Sequence, residues 1–169
     1  MTGFTYAEVG ATLHEPLPAG YRHLHYRTYV GGEEVFDRAA EAILTFGMHR
    51  RTGARIRTAA GRAAPGVRLT VGAGPLSVPC EVVWTAEEKD RAGFGYGTLP
   101  GHQASGEEAF TVERDARGRV WFSVTAFSRP ARPLMRLGGP LAVVAQHLYA
   151  RLCGRALKKL CAYSRTVDL

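Results

Sequence analysis

The sequence lacks any run of apolar residues approaching the roughly 20 that carry a helix across a bilayer. Its opening, MTGFTYAEVGATLHEPLP, lacks the basic start and continuous apolar stretch of a secretory signal. Cysteine is scarce, and Cys80, Cys153 and Cys161 form no CxxC pair and no cluster with histidine. An odd, scattered set of thiols argues against a disulfide framework and predicts a cytoplasmic protein. Lysine is nearly missing: all but Lys89, Lys158 and Lys159 of the 22 basic residues are arginine. With abundant Ala and Gly, that bias has the stamp of a GC-rich genome, so the net charge of +7 overstates selection for anionic partners. There is no GxSxG elbow and no Cys/His nucleophile pair. His23 and His25 share strand parity, but no third ligand stands at a recognisable spacing, so neither a metal nor a cofactor is expected.

What is present suffices for a globular domain. A chain of 169 residues, 46% hydrophobic and 22% charged, can bury a core without cross-links. The expected organisation is one domain: an N-terminal arm over 1–20, a strand, helix and antiparallel meander over 21–132, and a C-terminal helical segment over 133–163.

In the first predicted strand, Leu24, Tyr26 and Thr28 face one way. Residues 33–50 then switch to helical spacing, with Val35, Phe36, Ala39, Ala40, Ile43 and Phe46 on one side, and Gly47 and Gly53 mark where the helix weakens or stops. From Arg55 to Pro130 short alternating segments follow one another without helices between them. That pattern means an antiparallel meander. Asp115 to Gly118 carry the turn chemistry of a hairpin. After Pro140 a long helix places Leu141, Val144, Ala145, Leu148, Leu152 and Ala156 on one stripe, expected to cover the sheet.

The predicted class is therefore α+β: a curved antiparallel sheet of about six to seven strands with a long C-terminal helix packed across it. In element order this resembles the helix-grip, or START-like, architecture of lipid-transfer domains and aromatic polyketide cyclases. At the level of residues, GFGYGTLPGHQASGEEAF followed by VWFSVTAFSRPA resembles uncharacterised protein family 0548. The likeness extends to FTYAEVGAT, ILTFGMHRRTG, and GP with Gln146 in the last helix. Phe46 departs from it, standing where that family's pattern has Trp, an apolar exchange. The family carries no established activity, so the resemblance implies a fold and no chemistry.

Candidate site residues come from strand parity. Gly93, Gly95 and Gly97 fall on one face, where either the long helix or a ligand approaches the backbone. Phe94, Tyr96 and Thr98 fall on the other. Alternation in the next strand aims Glu108 inward with Phe110, opposite to Glu107, Thr111 and Glu113. A carboxyl among aromatic rings is desolvated, which suits acid–base work, but the favoured role is structural, either a pair with Arg129 or a strand-end carboxyl that reaches water. Arg129, sharing parity with Trp121 and Phe127, can also fork onto an anionic ligand group. His102 sits in a loop at a sheet end, where a ligand mouth would lie. Gln146 adjoins the helical stripe.

Three functions fit. The first is binding of a small apolar or aromatic molecule by Phe94, Tyr96, Phe110, Trp121, Phe127, Arg129 and Gln146 in a cavity between sheet and helix. The second is a cofactor-free cyclase, dehydratase or isomerase using Glu108, His102 and Tyr96 in that cavity. The third is nucleic-acid binding through Arg151, Arg155, Lys158 and Lys159, which is disfavoured because no stacking module or recognition motif accompanies the charge. No membrane insertion is expected, and the chain should be a monomer or homodimer.

Overall fold

The computed structural model describes residues 3–131 and 138–162. Residue 132 of the predicted meander portion and residues 133–137 and 163 of the predicted C-terminal segment lie outside the described residues. The chain runs β1 (Arg22–Gly31), α1 (Phe36–Leu44), α2 (Gly47–Arg51), β2 (Arg55–Arg57), β3 (Arg68–Ala73), β4 (Leu76–Glu87), β5 (Arg91–Thr98), β6 (Ala104–Arg114), β7 (Val120–Pro130) and α3 (Gly139–Ala162). Short 3-10 turns at Ala11–Leu13 and Glu33–Val35 precede β1 and α1. The strands form one antiparallel sheet in the order β1-β7-β6-β5-β4-β3-β2. Successive strands from β2 to β7 are neighbours, as hairpin links require, and β1 closes the far edge beside β7.

Both faces of this sheet are covered. On one face, Leu24, Val82, Phe94, Phe110, Phe122 and Val124 pack with Ile43, Leu44, Met48 and Leu157 from the helices. On the other lies the N-terminal segment, whose Tyr6 and Leu17 bury against Phe127, while Trp84, Ala86 and Ala109 form a second small cluster with Leu13. Trp84 reaches that second face through a register shift between Val82 and Trp84. Val82 pairs with Tyr96, but Trp84 pairs with Gly95, so a single extra residue reverses the alternation.

Three sequence expectations change. The helix over 33–50, expected to weaken at Gly47, is broken outright just before it: α1 ends at Leu44, and Phe46 adopts a left-handed backbone (φ 62) before α2 begins. The ring of Phe46 is fully buried and lies edge-on to Phe94, with centroids 5.5 Å apart; that burial holds the residue in a conformation that costs a non-glycine residue energy. Second, the stripe Leu141, Val144, Leu148 and Leu152 does not cover the sheet but faces outward, with Leu141 77% exposed. The packed side of α3 is instead Ala150, Cys153, Gly154, Ala156, Leu157 and Cys161. Small residues let the helix sit close on β1: a Cβ on Gly154 would stand 2.8 Å from the Tyr26 hydroxyl. With α3 on β1, the cover over β5 and β6 comes from α1, against which α3 also packs.

Third, the glycines of β5 face neither α3 nor a ligand wall. Gly97 faces the N-terminal segment, Gly95 faces Trp84 and Thr12, and Gly93 abuts the β6 backbone at Phe110 and Thr111. A Cβ on Gly95 would collide with the Trp84 indole, and one on Gly97 with the Tyr6 hydroxyl, with Phe4 at 2.9 Å. Gly97→Ala should therefore cost about 1–3 kcal/mol in urea unfolding, the range for overpacking. Gly61→Ala, where nothing lies within 4 Å, should be neutral or slightly stabilising. Equal effects at the two positions would contradict the close approach of the segment to β5.

Candidate functional site

Tyr96 in β5 and Glu108 in β6 are direct cross-strand partners on the helix-covered face. The Tyr96 hydroxyl donates to Glu108 Oε2 at 3.1 Å. Burial pushes the Glu108 carboxyl up to about 7, and the Tyr96 bond, which favours the ionised form, recovers part of that shift. Near neutral pH the same group can thus offer or accept a proton. Burial and the Glu108 charge also raise the Tyr96 and Tyr149 phenols and the Cys80 and Cys153 thiols, keeping all four protonated. These thiols are buried and inert rather than nucleophilic.

Glu108 and Tyr96 line a recess of about 60 Å³ with His102, Ser128 and Gln146. At about 30 Å³ per water, that holds one or two solvent-sized groups. The recess shares His102, Ala104, Ser128 and Gln146 with an open cleft of about 1000 Å³. The walls of the cleft are the β5–β6 turn, the ends of β6 and β7, Val78 of β4, and Ala142 and Ala145 on the first turns of α3. Arg22 Nη1 donates to the Gly139 carbonyl at 3.0 Å, which ties the start of α3 to β1 at the cleft margin. Gln146 Nε2 donates to Ser128 Oγ at 3.1 Å across the same margin. His102 Nδ1 accepts from the Ala104 backbone N–H at 3.0 Å, and burial depresses its pKa to about 4. The ring is neutral at pH 7, with Nδ1 occupied as an acceptor, so Nε2 is its remaining donor.

The structure thus brings Glu108, Tyr96, His102 and Gln146 to one place. Arg129 shares the cleft wall with His102 and Gln146, and Phe127 borders the recess, but the side chains of the others stand apart. Phe94 and Phe110 are wholly buried in the core behind the recess. Trp121 lies on the opposite face, 5.7 Å from the Tyr29 ring and under Arg27. The Phe127 ring is on that opposite face too, between Tyr6 and Tyr21. Arg129 stacks on Tyr21 at 4.8 Å and lines the cleft; the inward carboxylate is paired with Tyr96, not with Arg129. The register explains this: Glu108 pairs with Ala126, so the even-numbered residues of β7 share its face and the odd ones do not.

Two groups escaped the sequence reading. His49 is fully buried within a cage of Phe94, Phe110, Tyr96 and Tyr149, and neither ring nitrogen has a hydrogen-bond partner among the described residues. The break at Phe46 resets the helical phase, so periodicity through 33–50 could not place it inside. Tyr149 was hidden because the exposed stripe of α3 was taken for the packed one. Among the described residues, no three His, Cys, Asp or Glu side chains gather as a metal-holding group.

An open antiparallel sheet with a long C-terminal helix and a cleft at their junction defines the helix-grip class. Solved structures agree at the level of fold. A hypothetical protein of Helicobacter pylori superposes with TM-score 0.59 at 15% identity, covering 85% of this chain and 88% of its own. Norcoclaurine synthase of Thalictrum flavum gives 0.56 at 10% identity, covering 83% and 92%. The chain itself belongs to the family described as a domain of unknown function, DUF1990, which matches residues 5–156. A UPF0548 protein of Deinococcus radiodurans is 38% identical over 90% of this chain and 85% of the relative. Another from Arabidopsis thaliana is 42% identical over 50% of this chain and 44% of the relative.

Proposed function

We propose that the chain binds a small, largely apolar molecule that enters by the cleft beside α3 and sets one polar group against Glu108 and Tyr96. The observation that carries this reading is the recess itself. A carboxyl titrating near neutrality and a phenol stand at the inner end of a mostly apolar opening, the usual chemistry of a small-molecule site. The helix-grip neighbours, which include a synthase, support a ligand-binding fold. The preferred ligand carries a carbonyl or ether oxygen, because protonated Glu108 then donates to it. A thermal-shift and native mass-spectrometry screen of lipids and aromatic ketones tests this. Ala145→Trp, which fills the cleft from an exposed position on α3, should abolish every hit while leaving the melting temperature of the free protein intact. Hits that survive Ala145→Trp would refute the route.

The sign of the pH dependence follows from the Glu108 shift. Below about pH 7 the carboxyl is protonated and donates; above it, a carboxylate faces the ligand oxygen. Affinity should fall roughly tenfold as pH rises through 7, the scale of one hydrogen bond of about 1.4 kcal/mol. Titration calorimetry on Glu108→Gln, which keeps a donor at every pH, should give a flat profile. A wild-type profile equally flat would remove Glu108 from the site.

A second reading is favoured by one feature, the contact between Glu108 and the Tyr96 hydroxyl. A proton-moving group beside a phenol that can hydrogen-bond an oxyanion is the minimal equipment of a cofactor-independent isomerase or cyclase. Exchange of the carbon-bound α-protons of an enolisable aryl ketone in D2O, followed by NMR, separates catalysis from binding. Exchange lost in Glu108→Gln would support catalysis, whereas tight binding without exchange would leave the binding role alone.

A further inference from the structure

Among the described residues, the apolar stripe of α3 has no partner in the fold. Leu141, Val144, Leu148 and Leu152 recur at helical spacing on its outer side and are 77%, 54%, 54% and 44% exposed. Four large aliphatic side chains in one exposed row are unusual, since surface leucines normally occur singly. The same helix carries Arg151, Arg155, Lys158 and Lys159, all exposed, and no acidic residue. At 100° per residue, Arg155 and Lys159 continue the line of Leu148 and Leu152, so the row is apolar over its first turns and cationic over its last. Across the cleft, Leu76 at the start of β4 is also 48% exposed, two residues from the cleft-lining Val78.

We propose that this outward row of α3 is a peripheral docking surface for an anionic lipid bilayer, with the leucines entering the headgroup layer and the cations meeting lipid phosphates and carboxylates. Amphipathic helices with an apolar row and Arg or Lys beside it lie in the plane of such an interface without crossing it. That no helix of the described residues is long and apolar enough to span a membrane fits a surface role. Charge decides against a second copy as the first choice. The row is basic and carries no carboxylate to answer a like-charged twin. Its four side chains also fall short of the roughly 800 Å² per partner of a specific dimer. The inference stands whether or not the cleft binds a ligand.

Sedimentation with vesicles tests it, using phosphatidylcholine alone and phosphatidylcholine mixed with phosphatidylserine. The wild-type chain should partition onto the mixed vesicles and stay in solution with the neutral ones, and added salt should weaken the association. Leu141→Ser with Leu148→Ser should lower partitioning at least tenfold, because two exposed apolar anchors are lost. Arg155→Glu with Lys159→Glu should lower it similarly and remove the salt dependence. All four positions are exposed, so circular dichroism and melting temperature should match wild type. Leu148→Trp supplies a direct probe: its emission should shift to the blue only with mixed vesicles. Failure of the wild type to bind mixed vesicles overturns the proposal. So does equal binding by the serine variant, or a concentration-dependent dimer in analytical ultracentrifugation that the serine variant abolishes.

Discussion

Glu107→Ala should destabilise the protein by about 3–5 kcal/mol, because buried neutral donors that each cost about 1–3 kcal/mol when unsatisfied lose their acceptor. The side chain is only 3% exposed and, among the described residues, gathers its donors from the N-terminal segment. The Tyr6 hydroxyl and the Gly10 N–H each donate to Oε2 at 2.7 Å. The Thr12 N–H donates to Oε1 at 3.1 Å, and the Thr12 hydroxyl, itself accepting from the Trp84 indole N–H, donates to the same oxygen. Burial, followed by this bond to Glu107, pushes the Tyr6 phenol well above its ordinary pKa, so it stays a donor. Alanine at 107 leaves those groups facing one another in a dry layer. The segment should then lift from the sheet, which limited proteolysis within residues 3–21 would detect. Glu108, one residue along the strand but on the opposite face, has a single side-chain hydrogen-bond partner among the described residues, Tyr96, so Glu108→Ala should cost far less. Comparable losses in urea melts of the two variants would show that Glu107 does not anchor the segment.

His49→Phe should leave the protein at least as stable at neutral pH and distinctly more stable in acid. Both ring nitrogens are buried without partners, a cost of about 1–3 kcal/mol per stranded group that a phenyl ring of similar shape removes. Burial, aided by the neighbouring Arg50 charge, depresses the His49 pKa to about 3 from an ordinary 6.5. The native ring refuses a proton that the unfolded chain accepts, so stability is lost as pH falls from about 6.5 toward 3. At 1.36 kcal/mol per pKa unit the loss approaches about 5 kcal/mol at the acid end.

Glu108 acts in the opposite sense. Its native pKa, about 7, lies above the ordinary 4.5, so the native state holds the proton more tightly. Stability is fullest below pH 4.5 and is lost as pH rises to 7, by at most about 3 kcal/mol, and by less because the residue keeps some exposure. Between pH 4.5 and 6.5 the two slopes oppose each other. Chemical denaturation across pH should show His49→Phe declining toward neutrality, while Glu108→Gln declines more steeply into acid than wild type. Parallel curves for all three proteins would mean that neither group titrates in the interior.

A buried histidine without partners is a standing cost, and its cage places it beside Tyr96, the phenol that touches Glu108. Interiors tolerate such groups mainly where function needs them. His49→Phe therefore also reports on the recess: a gain in stability accompanied by loss of ligand binding would tie the histidine to the site.

Much of the architecture was legible in the residues. Alternation in GEEAFTVERD placed Glu108 and Glu107 on opposite faces, and both lie there. Leu24, Tyr26 and Thr28 share the helix-covered side, with Tyr26 and Thr28 against Gly154. The Asp115 hairpin forms as its turn chemistry requires, with Oδ1 accepting from the Arg117 and Arg119 N–H groups at 2.9 and 3.0 Å. The glycines of β5 were correctly seen as a place of close approach, but not what approaches. The segment before Arg22 has no periodicity, so nothing in it announces a cover for a whole sheet face.

The sequence by itself determined the local periods and the alternation within each strand, because backbone geometry ties side-chain direction to position along one element. It determined, too, which strand residues share a face wherever the ladder runs without a bulge. Only the tertiary structure decided which side of α3 packs. Two faces of that helix compete, one with larger side chains and one with smaller, and close approach to β1 selects Gly154, Cys153 and Ala156 over the leucines. The tertiary structure likewise decided where Trp84 points, how Phe46 breaks its helix, and that Glu108 meets Tyr96 while Arg129 stays outside. Each of these depends on contacts between residues far apart in the chain, which no local pattern encodes.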